Sequence, residues 1–187
     1  MTIKLISIIG TPSVGKSALA AEIYSYTARL GMNSHLVTEF AKDWAMRKIA
    51  ISPINQLAVV GQQSHFVTAL FKNNYSLAIS DTSLLLAAFY ANYYSNNSFP
   101  NLVSAVQEWE FYLMKNYKVK QYSFFILLTK EEYQNRYKAD GRYETFEQCF
   151  TMQDKLETWL HEHGNIITIK ASECNPEHIL KLSDIKL

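Results

Sequence analysis

The sequence predicts an α/β domain of three layers, in which a parallel sheet lies between two layers of helices. Five short apolar runs alternate with longer segments of helical pattern along the 187 residues. Most of these runs are apolar throughout rather than at every second position, which is typical of parallel strands that are covered on both faces. Because parallel strands are joined by helical crossovers, the alternation predicts one domain over residues 1–187 with right-handed βαβ connections.

The individual elements follow from the same pattern. Gly31 is a plausible cap for the end of the first helix, and the helix at 83–94 is apolar nearly all round, which indicates burial. The segment 95–101, SNNSFPN, has the composition of a loop. We predict strands at residues 4–9, 34–38, 75–80, 122–128 and 165–169, and helices at residues 17–30, 54–72, 83–94, 102–117 and 145–163.

The composition limits the partners of the chain. Lys and Arg number 18 and Asp and Glu number 17, which gives a net charge of +1. A broad nucleic-acid or membrane surface needs a basic excess, so we expect neither as a partner. No run reaches the roughly 20 apolar residues of a membrane span, and the two cysteines, Cys149 and Cys174, fit free thiols in a reducing compartment. We therefore expect a cytoplasmic protein.

The first predicted strand leads into GTPSVGKS, residues 10–17, which fits the pattern G-x-x-x-x-G-K-[ST] without a mismatch. The two glycines let the backbone N–H groups approach phosphate oxygens, and the following helix directs its N-terminus at the anion. Lys16 is expected to reach the β- and γ-phosphates, and Ser17 to offer its hydroxyl to Mg²⁺. The motif thus predicts ATP and Mg²⁺ as cofactors. The residues expected to bind the nucleotide are Gly10, Thr11, Pro12, Ser13, Val14, Gly15, Lys16, Ser17 and Ala18.

Two carboxylates follow other predicted strands, at the edge of a parallel sheet where ligands bind. Asp81 ends the run LAISD and is favoured as a metal-binding or catalytic acid; the alternative is a cap for the helix that starts near Ser83. Glu39 ends SHLVTE and could deprotonate a substrate hydroxyl or bind Mg²⁺. Its alternative is an acid that stabilises the start of a helix, and the sequence does not decide between the two.

A lid is predicted near residues 130–145, after the fourth strand. This segment carries Arg136 and Arg142 around the turn-like pair Asp140-Gly141. Cations that close over a transferred phosphoryl group stabilise its charge, and a glycine hinge would allow that closure. We favour the two arginines as catalytic, with an ordinary solvated charged face as the alternative.

The side of the crevice opposite the phosphate loop is rich in aromatic residues. Phe40 and Trp44 could stack on a flat heterocycle, and the amide of Gln63 could read its polar edge. For any single aromatic residue, a place in the core is the alternative. The residues expected to bind the substrate are Glu39, Phe40, Trp44, Gln63 and Asp81.

With these segments in place, nearly the whole chain resembles the P-loop nucleoside and nucleotide kinases. It is most similar to the ribosylnicotinamide kinase domain of the NadR-type regulators and the AAA-like ATPases grouped with it. The likeness rests on GTPSVGKS, TEFAKDW, NQLAVVGQQSHF, LAISDTSLLLAAFYANYY and YKADGRYETFEQCF, in this order. It implies a P-loop NTPase fold with five parallel strands in the order 2-3-1-4-5. It also implies that Glu39 lies in the acceptor pocket, that the helix of Gln63 lines it, and that Asp81 is the acid or base linked to Mg²⁺.

The chain departs from this family at two places. The family commonly shows Asp-Thr-Asp after the third strand, where this chain has Asp81-Thr82-Ser83. The family's lid tends to read Asp-Gly-x-Arg-Ser, whereas Arg142 comes one place early here. The identity of the phosphate acceptor is the expectation most affected by these departures.

These observations lead to one preferred function and two alternatives. The preferred function is an ATP-dependent kinase that converts ribosylnicotinamide to its mononucleotide, with a nucleoside-like small molecule as partner. A (deoxy)nucleoside or nucleoside monophosphate kinase is the first alternative. The second is an ATP-binding switch or ATPase that acts through a protein partner. A homo-oligomer is left open.

Overall fold

The structure is a computed structural model that describes residues 2–47, 49, 52, 54–73, 75–138 and 144–185. Its strands are β1 (Ile3–Ile9), β2 (Ser34–Val37), β3 (Leu77–Ser80), β4 (Val119–Leu127) and β5 (Ile166–Lys170). They form one parallel sheet in the order β2-β3-β1-β4-β5. The predicted sheet, its order and its covering by helices on both faces are confirmed.

Helices cover the sheet and connect its strands. Three of them, each of seven residues, were not predicted, because fewer than two helical turns give too little apolar periodicity to recognise. Within the described residues the α-helices are α1 (Lys16–Arg29), α2 (Phe40–Met46), α3 (Asn55–Lys72), α4 (Leu84–Ser95), α5 (Pro100–Tyr117), α6 (Lys130–Arg136), α7 (Phe146–His163) and α8 (Pro176–Leu182). None of them is both long enough and apolar enough to cross a membrane.

Alternating residues of β1 face two separate apolar layers. Ile6 and Ile8 are fully buried together with Ile23 of α1 and residues of α8. Leu5 and Ile9 point to the opposite face, where α3, α4 and α5 pack. Since both faces of the strand are covered, its sequence is apolar at nearly every position, which is the pattern that predicted a parallel sheet.

One row of serines interrupts this apolar sheet. Ser7 of β1 is in register with Ser80 of β3 and with Ser123 of β4, and all three are buried. Ser7 and Ser80 line a small cavity beneath α3 and α5, together with Gln63 and Glu110. The sheet therefore carries a polar strip that lies just below its carboxyl edge.

The boundary of the fourth strand differs from the prediction. Strand β4 begins at Val119, three residues before the predicted start at 122. Lys120 is exposed and Gln121 is half-buried, so they break the apolar run, yet both are in register with β1. The backbone of β4 therefore pairs with β1 here, although these two polar side chains interrupt the apolar pattern by which the sequence predicts a strand.

Candidate active site

The phosphate-loop sequence, residues 10–17, runs from the carboxyl end of β1 into the first residues of α1. Gly15 precedes α1 with φ 101°, and Ser13 has φ 68°, so both lie in the left-handed region. A Cβ on Gly10 would lie 2.8 Å from Cγ2 of Val14, so that the Val14 side chain or the backbone would have to shift. Glycine is thus favoured at position 10 by packing and at position 15 by backbone conformation. Ala18, also predicted for nucleotide binding, lies exposed in the first turn of α1.

The side chains of the loop fit an anionic ligand. Lys16 is buried and its Nζ donates to the carbonyl oxygen of Thr11 at 3.1 Å. The hydroxyl oxygen of Ser13 is buried and has no hydrogen-bond partner among the described residues. Buried polar atoms are rarely left unpaired in proteins. An orphaned hydroxyl beside a buried lysine is therefore consistent with a loop whose partner is a phosphate.

Asp81 follows directly after β3, the strand next to β1. It is buried, and its Oδ1 has no hydrogen-bond partner within the described part of the chain. Its backbone N–H donates to the Val37 carbonyl at 3.2 Å, which fixes it at the shared edge of β2 and β3. A buried carboxylate oxygen without a partner is costly unless a cation or a donor meets it. The donor set of Asp81 and the Ser17 hydroxyl therefore fits the hard, oxygen-seeking Mg²⁺ ion.

The alternative role of Asp81, a cap for the next helix, belongs instead to Ser83. Its hydroxyl accepts a hydrogen bond from the Leu86 N–H at 3.1 Å, at the start of α4. The departure from Asp-Thr-Asp therefore places a helix cap where the resembled family commonly has a second carboxylate.

Glu39 follows β2 and occupies the position before the first residue of α2. Its charge adds to the effect of burial in raising the pKa of the Tyr90 hydroxyl on α4, where Glu144 also contributes. Glu39 is half-buried. Its carboxylate therefore influences the side of the crevice formed by α4, where the acceptor is expected.

Gln63 on α3 connects its helix to α2 and to β3 on the expected acceptor side. It is 2% exposed; its Oε1 accepts from the Phe40 N–H at 3.2 Å and its Nε2 donates to the Ser80 hydroxyl at 3.4 Å. The amide thus ties α2 and α3 to the end of β3. To bind a heterocycle as predicted, the Gln63 amide would have to give up one of these two hydrogen bonds or form a further bond beside it.

Aromatic rings form a partly exposed wall beside Gln63. The ring of Phe40 lies 5.2 Å from that of Trp44 and 6.4 Å from that of Phe66, which is 39% exposed. On α4, Tyr90 and Tyr94 are stacked at 6.0 Å. Offset and tilted rings with an exposed edge leave surface on which a planar ligand could stack.

Helix α6 contributes two residues to the phosphate loop. Nη1 of Arg136 donates to the Val14 carbonyl at 3.0 Å, so one predicted lid arginine is at the loop. Tyr133 is fully buried, and its hydroxyl lies 2.9 Å from Thr11 Oγ1 and also contacts the Pro12 carbonyl. Tyr133 was not predicted, although its spacing of three residues from Arg136 could have indicated one shared helix face.

The segment predicted to be a lid is only partly described. Arg142 and the Asp140-Gly141 pair lie outside the described residues, so Arg142 remains a prediction. At one end of this segment, the Tyr137 hydroxyl donates to the Glu144 carbonyl at 2.8 Å. The Tyr94 hydroxyl donates to a carboxylate oxygen of Glu144 at 2.5 Å. Glu144 therefore connects Tyr137, which follows α6, to Tyr94 on α4.

A second basic residue contacts the loop from α2. Nζ of Lys42 donates to the Ser17 hydroxyl at 2.9 Å. Lys42 was not predicted, because a lysine in a short helix has no distinguishing local pattern.

Comparison with known proteins supports the architecture. No curated protein matches the chain significantly. Among solved structures, the chain is similar to a deoxyadenosine kinase from M. mycoides with bound dATP, at a TM-score of 0.57 and 16% identity. The match covers 96% of this chain and 97% of that chain, and it shows that the fold is that of a P-loop kinase.

A family model described as an AAA domain matches residues 5–173. The chain therefore belongs to this AAA-domain family.

Proposed function

We propose that the protein is an ATP-dependent kinase that phosphorylates a nucleoside-like small molecule. The observation that carries this proposal is the arrangement of β1, β3 and β2 as neighbours. Their carboxyl ends place the phosphate loop, Asp81 and Glu39 in succession along one edge of the sheet. A triphosphate site, a metal-binding acid and a general base are the three parts that phosphoryl transfer to a hydroxyl requires.

The order of the strands suggests how the two carboxylates divide their roles. Asp81 follows β3, next to the loop, and would hold Mg²⁺ together with Ser17; when bound, the ion supplies positive charge to the β- and γ-phosphates. Glu39 follows β2, one strand farther from the loop and beside the aromatic wall. It would accept the proton of the attacking hydroxyl as general base. Lys16 and Arg136 would stabilise the charge on the transferred group.

The acceptor is proposed to be ribosylnicotinamide. This assignment rests on the resemblance of the motifs, in their order, to the ribosylnicotinamide kinases. Phe40, Trp44 and Phe66 offer a surface for a planar ring, and Gln63 offers amide groups beside it. A deoxynucleoside is the second candidate, favoured by the structural likeness to deoxyadenosine kinase.

The test is phosphoryl transfer by the purified protein to a panel of ribosylnicotinamide, ribonucleosides, deoxynucleosides and nucleoside monophosphates. We expect ribosylnicotinamide and ATP to give the mononucleotide and ADP, and Lys16→Ala to abolish the reaction. Turnover of a deoxynucleoside alone would select the second candidate.

The departure at Ser83 favours one further function, an ATP-binding switch with a protein partner. Because Ser83 caps α4, the segment after β3 carries one carboxylate, Asp81, where the family commonly has two. ATP consumption that no small acceptor changes, but that a protein partner stimulates, would select this function over the kinase.

A further inference from the structure

Lys42 lies at the junction between the phosphate loop and the acceptor side. Its Nζ donates to the Ser17 hydroxyl at 2.9 Å, which connects α2 to the first turn of α1. Lys42 follows Glu39 by three residues, so the two side chains lie within one turn of each other. The start of α2 thus places an acid expected on the acceptor side three residues before a cation that contacts the loop.

The position of α2 is fixed by contacts other than the one that Lys42 makes. The Phe40 N–H is bound by Gln63 at 3.2 Å, and the Phe40 ring packs against Trp44 and Phe66. The acid next to Lys42, Asp43, is paired with Arg47 at 3.0 Å. Among the described residues Lys42 forms no ion pair, and its partner is a neutral hydroxyl.

Three cations from three elements converge on the loop in the same manner. Lys16 of α1 donates to the Thr11 carbonyl, Arg136 of α6 to the Val14 carbonyl, and Lys42 of α2 to the Ser17 hydroxyl. All three acceptors are neutral oxygens. Charged phosphate oxygens form shorter and roughly twofold stronger hydrogen bonds with such donors. Each cation therefore gains by exchanging its present acceptor for a phosphate.

We propose that Lys42 is a third phosphate-binding cation, which contacts the terminal phosphate of the bound nucleoside triphosphate from the acceptor side. The proposal rests on the proposed function for the identity of this ligand. The terminal phosphate is indicated because Lys42 lies on α2, which begins directly after Glu39 on the proposed acceptor side of the loop. Lys42 would stabilise the charge of the group in transfer, and would release Ser17 for the metal.

The contact is a poor candidate for a purely structural bond. Lys42 is exposed, and a hydrogen bond from an exposed ammonium to a hydroxyl competes with water and contributes little to folding. Phe40 and Gln63 already hold the start of α2. Removing the charge of Lys42 should therefore change ligand binding rather than stability.

The experiment compares the dissociation constants of ADP and of a non-hydrolysable ATP analogue, both with Mg²⁺, by calorimetry. Lys42→Met keeps most of the side-chain volume and removes the charge. We expect the affinity for the ATP analogue to fall about 10-fold or more, while that for ADP changes less than about twofold. Lys42→Arg should retain most of the affinity for the analogue. Lys72→Met, at the far end of α3, is the matched control and should change neither.

Equal weakening of both ligands, or of neither, would overturn the assignment of Lys42 to the terminal phosphate. A lower melting temperature of the ligand-free Lys42→Met protein, with an unchanged ratio of the two affinities, would also overturn it and indicate a structural bond. Lys16→Met separates this result from the proposed function. If that variant binds both nucleotides as well as the wild type does, the loop does not hold the triphosphate and the proposed function fails.

Discussion

At the scale of single residues, Asp81 is the position where the proposed function and the stability of the fold are most clearly opposed. Its Oδ1 is buried without a partner in the described chain, an arrangement that does not favour folding. Asp81→Asn keeps the shape and removes the charge. We expect an unfolding free energy no lower than that of the wild type and a Mg²⁺-dependent transfer rate about 100-fold lower. Urea unfolding and initial rates over a series of Mg²⁺ concentrations measure the two effects. A variant of unchanged activity would remove Asp81 from the site.

Glu110 provides a prediction that depends on pH. Burial raises its pKa above the ordinary 4.5, while a hydrogen bond from Gln121 at 2.9 Å acts in the opposite direction. Between pH 4.5 and the raised pKa, Glu110 keeps its proton in the folded protein but has lost it in the unfolded chain. The free energy of unfolding therefore falls as the pH rises through this interval. Glu110→Gln removes this loss. Its stability relative to the wild type should therefore increase over that interval and stay constant above it. Urea unfolding between about pH 4 and pH 8 checks this; a difference independent of pH would contradict it.

The phosphate-loop residues could be predicted because their pattern is local. Gly10, Gly15 and Lys16 could be assigned because the phosphate-loop chemistry resides in eight consecutive residues. Tyr133 and Lys42 could not, since each reaches the loop from a helix far along the chain. Such contacts depend on tertiary packing, for which the local pattern carries no signal.

At the scale of elements, α6 is a support for the phosphate loop. A capping box of Thr129 and Glu132 fixes its start, and Tyr133 and Arg136 then face the loop from successive turns. The lid prediction identified the basic character of this segment. It missed the helix, because the apolar content of KEEYQNR is a single tyrosine.

Tyr133→Phe tests this support. The change leaves Thr11 Oγ1 and the Pro12 carbonyl without the tyrosine hydroxyl, while the ring packing against Phe146 and Phe150 stays. We expect a loss of about 1–3 kcal/mol in unfolding free energy and a severalfold higher dissociation constant for ATP.

The matched control is Tyr122→Phe. In the wild type, the hydroxyl of Tyr122 on β4 donates a hydrogen bond to the Asp184 carboxylate at 2.9 Å. This variant should leave the affinity for ATP unchanged. If both variants bind ATP equally well, α6 stabilises the fold without shaping the loop.

At the scale of the whole molecule, the order of the strands creates the site. With β1 next to β3, and β3 next to β2, three segments far apart in sequence meet at one edge of the sheet. This order could be predicted only through the likeness of the motifs to a known family. Periodicity shows where the strands lie in the sequence, but it does not show which strands are neighbours in the sheet. The acceptor could not be predicted in the same way, because the residues proposed to face it, such as Phe40, Gln63 and Tyr90, lie on three helices, and local sequence patterns do not show how these helices pack.

The central claim concerns the destination of the γ-phosphate, and labelling it tests the claim most directly. Wild-type protein is supplied with Mg²⁺ and ATP labelled in the γ-phosphate, with and without ribosylnicotinamide or a nucleoside. We predict that the label appears mainly in the phosphorylated acceptor and that Glu39→Gln and Lys16→Ala reduce this transfer. Label that appears only in inorganic phosphate, at a rate that no acceptor changes, would contradict the kinase assignment.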